Sequence, residues 1–148
     1  MKKLILASVM ALGLGGSAMA GELVVVPSTK GAAETMDALQ AAVEGAGATV
    51  FARVNHAAGA EKVGMELKPT ELLIFGNPKL GTPAMIDAQT AGLFLPLKVL
   101  VHEDAKGEVF LSYEDPASVL TPLGISGDAE YIKMMTGALA KLTAAAAG

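Results

Sequence analysis

The stretch Phe75-Gly76-Asn77-Pro78-Lys79-Leu80-Gly81-Thr82-Pro83 gathers the residue types that bring a ligand against a protein backbone. Gly76 and Gly81 admit close approach because they carry no Cβ. The apolar run Leu72 to Phe75 reads as a strand, and Thr82 followed by Pro83 predicts an N-cap with proline at the first helical position. A helix opening there would offer backbone N–H groups to an anion or to a carbonyl oxygen. Two further residues could act on such a ligand. His56, behind Asn55 at the end of a predicted strand, is a candidate ligand or acid–base group at a helix start. Lys98 interrupts the apolar run from Leu95 to Val101 and shares a strand face with Leu100 and His102. An ammonium in that setting must be paired, face a ligand, or reach water along its stem.

His56, Gly76, Asn77, Thr82 and Lys98 therefore form the candidate ligand-binding set. For His56, Asn77 and Lys98 to converge, the strands beginning at Thr49 and Glu71 must run parallel and the strand from Leu97 must oppose them. Each residue also has a plainer reading: a histidine satisfied by backbone carbonyls, an Asn-Pro turn, and an edge lysine.

Other chemistry lacks its residues. Cysteine is absent, which removes disulfides, thiol nucleophiles and Cys-based metal sites. No Gly-x-Ser-x-Gly elbow occurs, and Gly76 to Gly81 lacks both the Walker A spacing and its Lys-Ser/Thr ending. His102 and Glu103 are adjacent on a predicted strand, so they point to opposite faces and do not share a metal ion. The sequence picks out no metal-binding or cofactor-binding residues and leaves the identity of any cofactor open.

The elements that must position the candidate set follow from periodicity. Glu22 to Val26 is a predicted strand, and Ala32, Met36, Leu39, Val43 and Ala46 are spaced for one face of a helix. A strand over 49–55, a short helix from His56, a strand over 71–75 and a helix from Thr82 come next. Leu97 to Glu103 and Glu108 to Tyr113 flank Asp104-Ala105-Lys106-Gly107, a hairpin with glycine where a positive φ is expected. Asp115 is expected to cap a short helical turn, and Asp128 a final helix with Ile132, Met135, Leu139 and Leu142 inward. The order β-α-β-α-β-α-β-β-α predicts a single-domain α/β or α+β sandwich. Helices between the early strands argue for crossovers, and the late hairpin makes the expected sheet mixed, with helices packed on it.

The first 20 residues read as an address. Lys2 and Lys3 precede the apolar run Leu4 to Leu14, and Ala18-Met19-Ala20 is a cleavage site before Gly21. The run is too short to span a bilayer, so a signal peptide over 1–20, export to the periplasm or beyond, and no stable membrane insertion after cleavage are expected. One domain over 21–142 and a flexible, fraying tail over 143–148 complete the division. Without Lys2 and Lys3 the chain has 9 Lys plus Arg against 15 Asp plus Glu, a net charge of −6. Nucleic acid is not an expected partner of so acidic a chain.

Arg53-Val54-Asn55-His56-Ala57-Ala58, Pro69 through Pro83, and Leu95-Pro96-Leu97-Lys98-Val99-Leu100-Val101 resemble the signature segments of the DUF302 family of uncharacterised bacterial and archaeal proteins. The resemblance runs from about Val24 to Leu139 in the family's order, with Asn55 in place of an expected aspartate. It implies a compact α/β fold that dimerises, and it implies no activity. The leading expectation is an exported module that binds or senses a small anion or carbonyl compound. The alternatives are an enzyme with His56 or Lys98 as base, and a homodimeric interaction protein without a ligand.

Overall fold

The computed structural model describes residues 21–148, so the leader expected over 1–20 lies outside the described residues. The elements are β1 (Leu23–Ser28), α1 (Ala32–Gly45), β2 (Thr49–Asn55), α2 (His56–Lys62), β3 (Thr70–Gly76), α3 (Pro78–Asp87), β4 (Leu97–Glu103), β5 (Val109–Glu114), α4 (Pro116–Leu120) and α5 (Glu130–Ala147). The expected order holds, with Pro116–Leu120 as the short turn capped by Asp115, whose side chain accepts from the Ser118 N–H at 2.9 Å. Gly107 takes the positive φ of the β4–β5 hairpin, at 85°.

The five strands form one sheet in the order β1-β5-β4-β3-β2, and every neighbouring pair is antiparallel. This corrects the mixed sheet. Helices between β2 and β3 and between β3 and β4 suggested crossovers, yet Asn55 pairs with Glu71 and Phe75 with Leu97, so each connection returns at the end it left. α2 has 7 residues and none of them is buried, so it has no apolar face with which to cross the sheet. Only α1 joins parallel strands, and those lie at opposite edges of the sheet.

Alternation along the strands sends Leu73, Phe75, Val99, Val101, Val109, Leu111 and Tyr113 to one face, where they meet Met36, Leu39 and Val43 of α1 and Leu139 and Leu142 of α5. A second cluster, including Ala84 of α3, Leu120 of α4 and Ile132 and Met135 of α5, fills the end of the sheet beyond Leu97. The result is a two-layer sandwich, helices on one face only.

Two helix starts differ from expectation. Asn77, not Thr82, caps α3: its Oδ1 accepts from the Lys79 N–H at 3.0 Å, and Pro78 takes the first helical position. The chain offers two polar-Pro pairs, and the helix begins at the first, which leaves Thr82 and Pro83 inside it. Asp128 does not cap α5, which opens after Ala129 without a side-chain cap. The fraying tail is also corrected. α5 continues to Ala147, with Thr143, Ala146 and Ala147 buried. The loop after β1 satisfies its terminal carbonyls: the Thr29 N–H donates to Ala147 O at 3.0 Å, and Lys30 Nζ to Ala146 O at 3.0 Å.

Candidate functional site

Asn77 and Gly76 stand where β3 ends, and the strand that pairs with it, β4, begins at the same end with Leu97 and Lys98. β2 runs opposite to β3, with Thr49 across from Gly76. His56 follows the far end of β2, about 20 Å away along a strand of this length. The convergence of His56 with Asn77 and Lys98 fails for that reason: it required parallel β2 and β3.

His56 is exposed on the first turn of α2, and Asn55 is the cap before it, accepting from the Ala58 N–H at 2.8 Å. Around that end the prominent chemistry is structural. Arg53 donates from Nε and Nη2 to the two carboxylate oxygens of Glu71, at 2.6 and 3.1 Å, and from Nη1 to Asp37 at 2.7 Å. The Glu71 bond, with Asp37 adding to it, raises the guanidinium's pKa above its already high ordinary value. This network clasps α1 to β2 and β3.

Lys98 shares the end of the sheet with Asn77 but not its face. Its Nζ donates to Phe94 O at 2.8 Å and to Pro96 O at 3.3 Å, so the ammonium is held by the loop that precedes its own strand. The lysine is satisfied by backbone, and it does not line the pocket beside Asn77.

That pocket has a volume of about 250 Å³ and opens between the end of β3, the start of α3 and the loop before β4. Gly76, Asn77 and Thr82 of the candidate set all line it. Its walls are apolar: Leu80, Met85, Leu95, Leu97 and Met135, with Phe51 at the β2 edge. Phe51 reaches this position because the pairing of β2 with β3 slips between Val50 and Ala52, a bulge that redirects the ring. Gly76 is required by approach rather than by backbone angle. A Cβ there would sit 3.3 Å from Pro96 Cβ and 3.6 Å from Phe51 Cε2, and Phe75 beside it is buried. Sequence reasoning missed Phe51, Leu80, Met85 and Leu95, which carry no chemistry of their own. The proline and glycine spacing around them was the available signal.

The helix start does not act as the expected anion site. Pro78 has no N–H, the Lys79 N–H is bound to Asn77 Oδ1, and the Leu80 and Gly81 N–H groups both donate to Asn77 O, at 2.9 and 3.0 Å. The polar groups left for a ligand are the Asn77 Nδ2, which the cap bond does not use, and the Thr82 hydroxyl. Among the described residues no group of three or more His, Asp and Glu side chains is placed to hold a metal ion.

A five-stranded antiparallel sheet under two long helices, with a small apolar pocket at one end, defines the class of protein. The chain belongs to the DUF302 family, a domain of unknown function, whose profile matches residues 24–147. The crystal structure of an uncharacterized conserved DUF302 protein from Bacillus stearothermophilus superposes with a TM-score of 0.76 over 84% of this chain and 97% of that one, at 18% identity, which shows the shared fold. Two curated relatives are the fluoride-specific ion channels FluC 1 of Brucella suis and FluC 2 of Brucella melitensis. Each is 45% identical over 117 residues, covering 78% of this chain but 46% and 43% of those proteins. The chain thus spans less than half the length of these relatives. No helix among the described residues is long and apolar enough to cross a membrane.

Proposed function

We propose that this DUF302 domain is an exported binding or sensing module for a small, largely apolar molecule carrying one carbonyl or amide group. The observation that carries the reading is the pocket: about 250 Å³, walled by leucine and methionine, with the Thr82 hydroxyl and Asn77 amide as its polar lining. This volume lies just below the range of drug-sized sites and suits a ligand of one or two rings. Met85 and Met135 add polarisable, adaptable walls. An anion gains little here, because the nearest helix amides are engaged and the Lys98 ammonium is bound elsewhere. The enzyme alternative loses its base, since neither His56 nor Lys98 lines the pocket.

The test uses 2-naphthamide as probe. Calorimetric titration of the full-length expression product should show saturable binding to the wild type. Gly81→Leu should abolish it without lowering the melting temperature, because a Cβ at Gly81 meets Leu95 Cδ1 at an ordinary 3.8 Å and the rest of the side chain fills the cavity. Binding that survives Gly81→Leu, or no binding by the wild type, overturns the reading.

The identity with FluC segments favours a second reading, in which the domain is an accessory to an ion channel. Conduction itself is not assigned to it, for want of a spanning helix among the described residues. Fluoride titrated against amide resonances separates the two: shifts localised at Asn77 to Thr82 would favour the second.

A further inference from the structure

The cap of α3 also fixes which way the Asn77 amide faces. The Lys79 N–H bonds only to an acceptor, so the side-chain atom 3.0 Å from it is Oδ1 and not Nδ2. Exchanging the two would set N–H against N–H and leave the first turn of α3 uncapped. Nδ2 therefore lies on the other side of the amide from that bond. It has no acceptor among the described residues and is not a buried orphan, so it stays open to a ligand. The pocket around it is graded from mouth to floor. Phe51, Pro78, Thr82 and Pro96 are exposed at the mouth, Asn77 is half-buried, and Met135 of α5, 1% exposed, forms the floor.

Taking this pocket as the ligand site proposed above, we infer that Asn77 is its specificity-determining residue: a fixed donor that selects ligands whose polar end is a neutral acceptor, such as an aryl ketone, aldehyde or ester, and rejects those whose polar end only donates, such as an amine. A site built to hydrogen-bond one group discriminates against an analogue lacking it, because the site's own polar atom is then left unpaired. An ammonium would meet Nδ2 donor to donor. No charged residue among those described lines the pocket, so neither an ammonium nor a carboxylate would find a counter-charge within its apolar walls. The Thr82 hydroxyl rotates to donate or accept and does not discriminate. An amide ligand is read through its oxygen alone. Its apolar end reaches towards Met85 and Met135, where thioether contact favours an aromatic ring.

The selection rests on one atom and is reversible by it. Asp at this position keeps one oxygen for the Lys79 N–H, because Asp and Asn cap equally well, and places a second oxygen where Nδ2 was. The helix N-terminus favours the added negative charge.

The test is equilibrium dialysis of the full-length expression product against three probes that share a ring and differ in their polar end: naphthalene, 2-acetylnaphthalene and 2-(aminomethyl)naphthalene. The wild type should bind the ketone about fivefold more tightly than naphthalene, and the amine more weakly than naphthalene. Asn77→Asp should reverse the order, with the amine bound most tightly and the ketone most weakly, at an unfolding midpoint equal to or above that of the wild type. Asn77→Ser retains a capping oxygen but loses the amide donor, and should bring ketone and naphthalene within about twofold of each other. A wild type that binds naphthalene as tightly as the ketone, or an order unchanged in Asn77→Asp, overturns the role of Asn77 and leaves the pocket reading standing. A wild type that binds none of the three removes the pocket reading and the role of Asn77 together. If Asn77→Asp does not fold, the wild-type order and Asn77→Ser decide it.

Discussion

At the scale of single residues, two positions lead to measurable consequences. Gly76 lies in ordinary backbone conformation, so an added methyl meets its obstacle in Pro96, 3.3 Å away. Gly76→Ala should cost about 1 kcal/mol or more by overpacking, read as a fall of about 4 °C in melting temperature, and should weaken 2-naphthamide binding by displacing Pro96 or Phe51. An unchanged melting curve would show that the loop yields freely. Tyr131 donates its hydroxyl to Asp87 Oδ2 at 2.6 Å, and desolvation together with that carboxylate pushes its pKa up to about 12. The folded state holds the phenolic proton more tightly than the unfolded chain does, so this contribution is complete below pH 10 and is lost as pH rises from 10 towards 12. The difference in unfolding free energy between wild type and Tyr131→Phe should therefore shrink across that window, with phenolate absorbance as the direct readout of the titration.

At the scale of elements, what the sequence made legible was the existence and order of strands and helices, because each rests on local periodicity. The antiparallel course of β2, β3 and β4 was hidden, because a connection holding a helix can return at the same end of the sheet or cross its face, and the choice depends on whether that helix has a face to bury. α2 has none. The same limit explains the site. Gly76, Asn77 and Thr82 were legible from one contiguous segment, and they line one pocket, whereas joining His56 and Lys98 to them required a topology that sequence spacing does not encode. The Asp115 cap was legible, whereas the cap of α3 was misplaced where two candidates competed, Asn77 and Thr82, and that of α5 was misplaced at Asp128, one residue before Ala129. The end of α5 was misread because its alanines are weak signals of burial, although Ala146 and Ala147 are enclosed. Removing residues 144–148 should accordingly destabilise the domain by about 1–3 kcal/mol, from lost burial and from Thr29 and Lys30 donors left without their carbonyls. Denaturant unfolding measures it, and an unchanged midpoint would restore the fraying tail.

At the scale of the whole molecule, the proposed export has a direct readout. The leader over 1–20 predicts that protein recovered from the periplasm begins at Gly21, and intact mass spectrometry should show that species alone; retention of Met1 to Ala20 in the periplasmic fraction would remove the proposal.

The placement of β1 has a consequence for how this domain comes into being. The first strand pairs with the last, Leu23 opposite Glu114 and Ser28 opposite Val109, and the loop that follows it closes on the final turn of α5. Nothing synthesised before β5 can complete the sheet. A chain with such distant partners folds slowly, because the entropy of closing the long loop is lost before the contacts that reward it are made. During synthesis its N-terminal segment accordingly stays unpaired until nearly all of the polypeptide exists. A first strand left open in this way is compatible with the proposed export, and the same pairing that seals the finished sheet also sets the time at which it is completed.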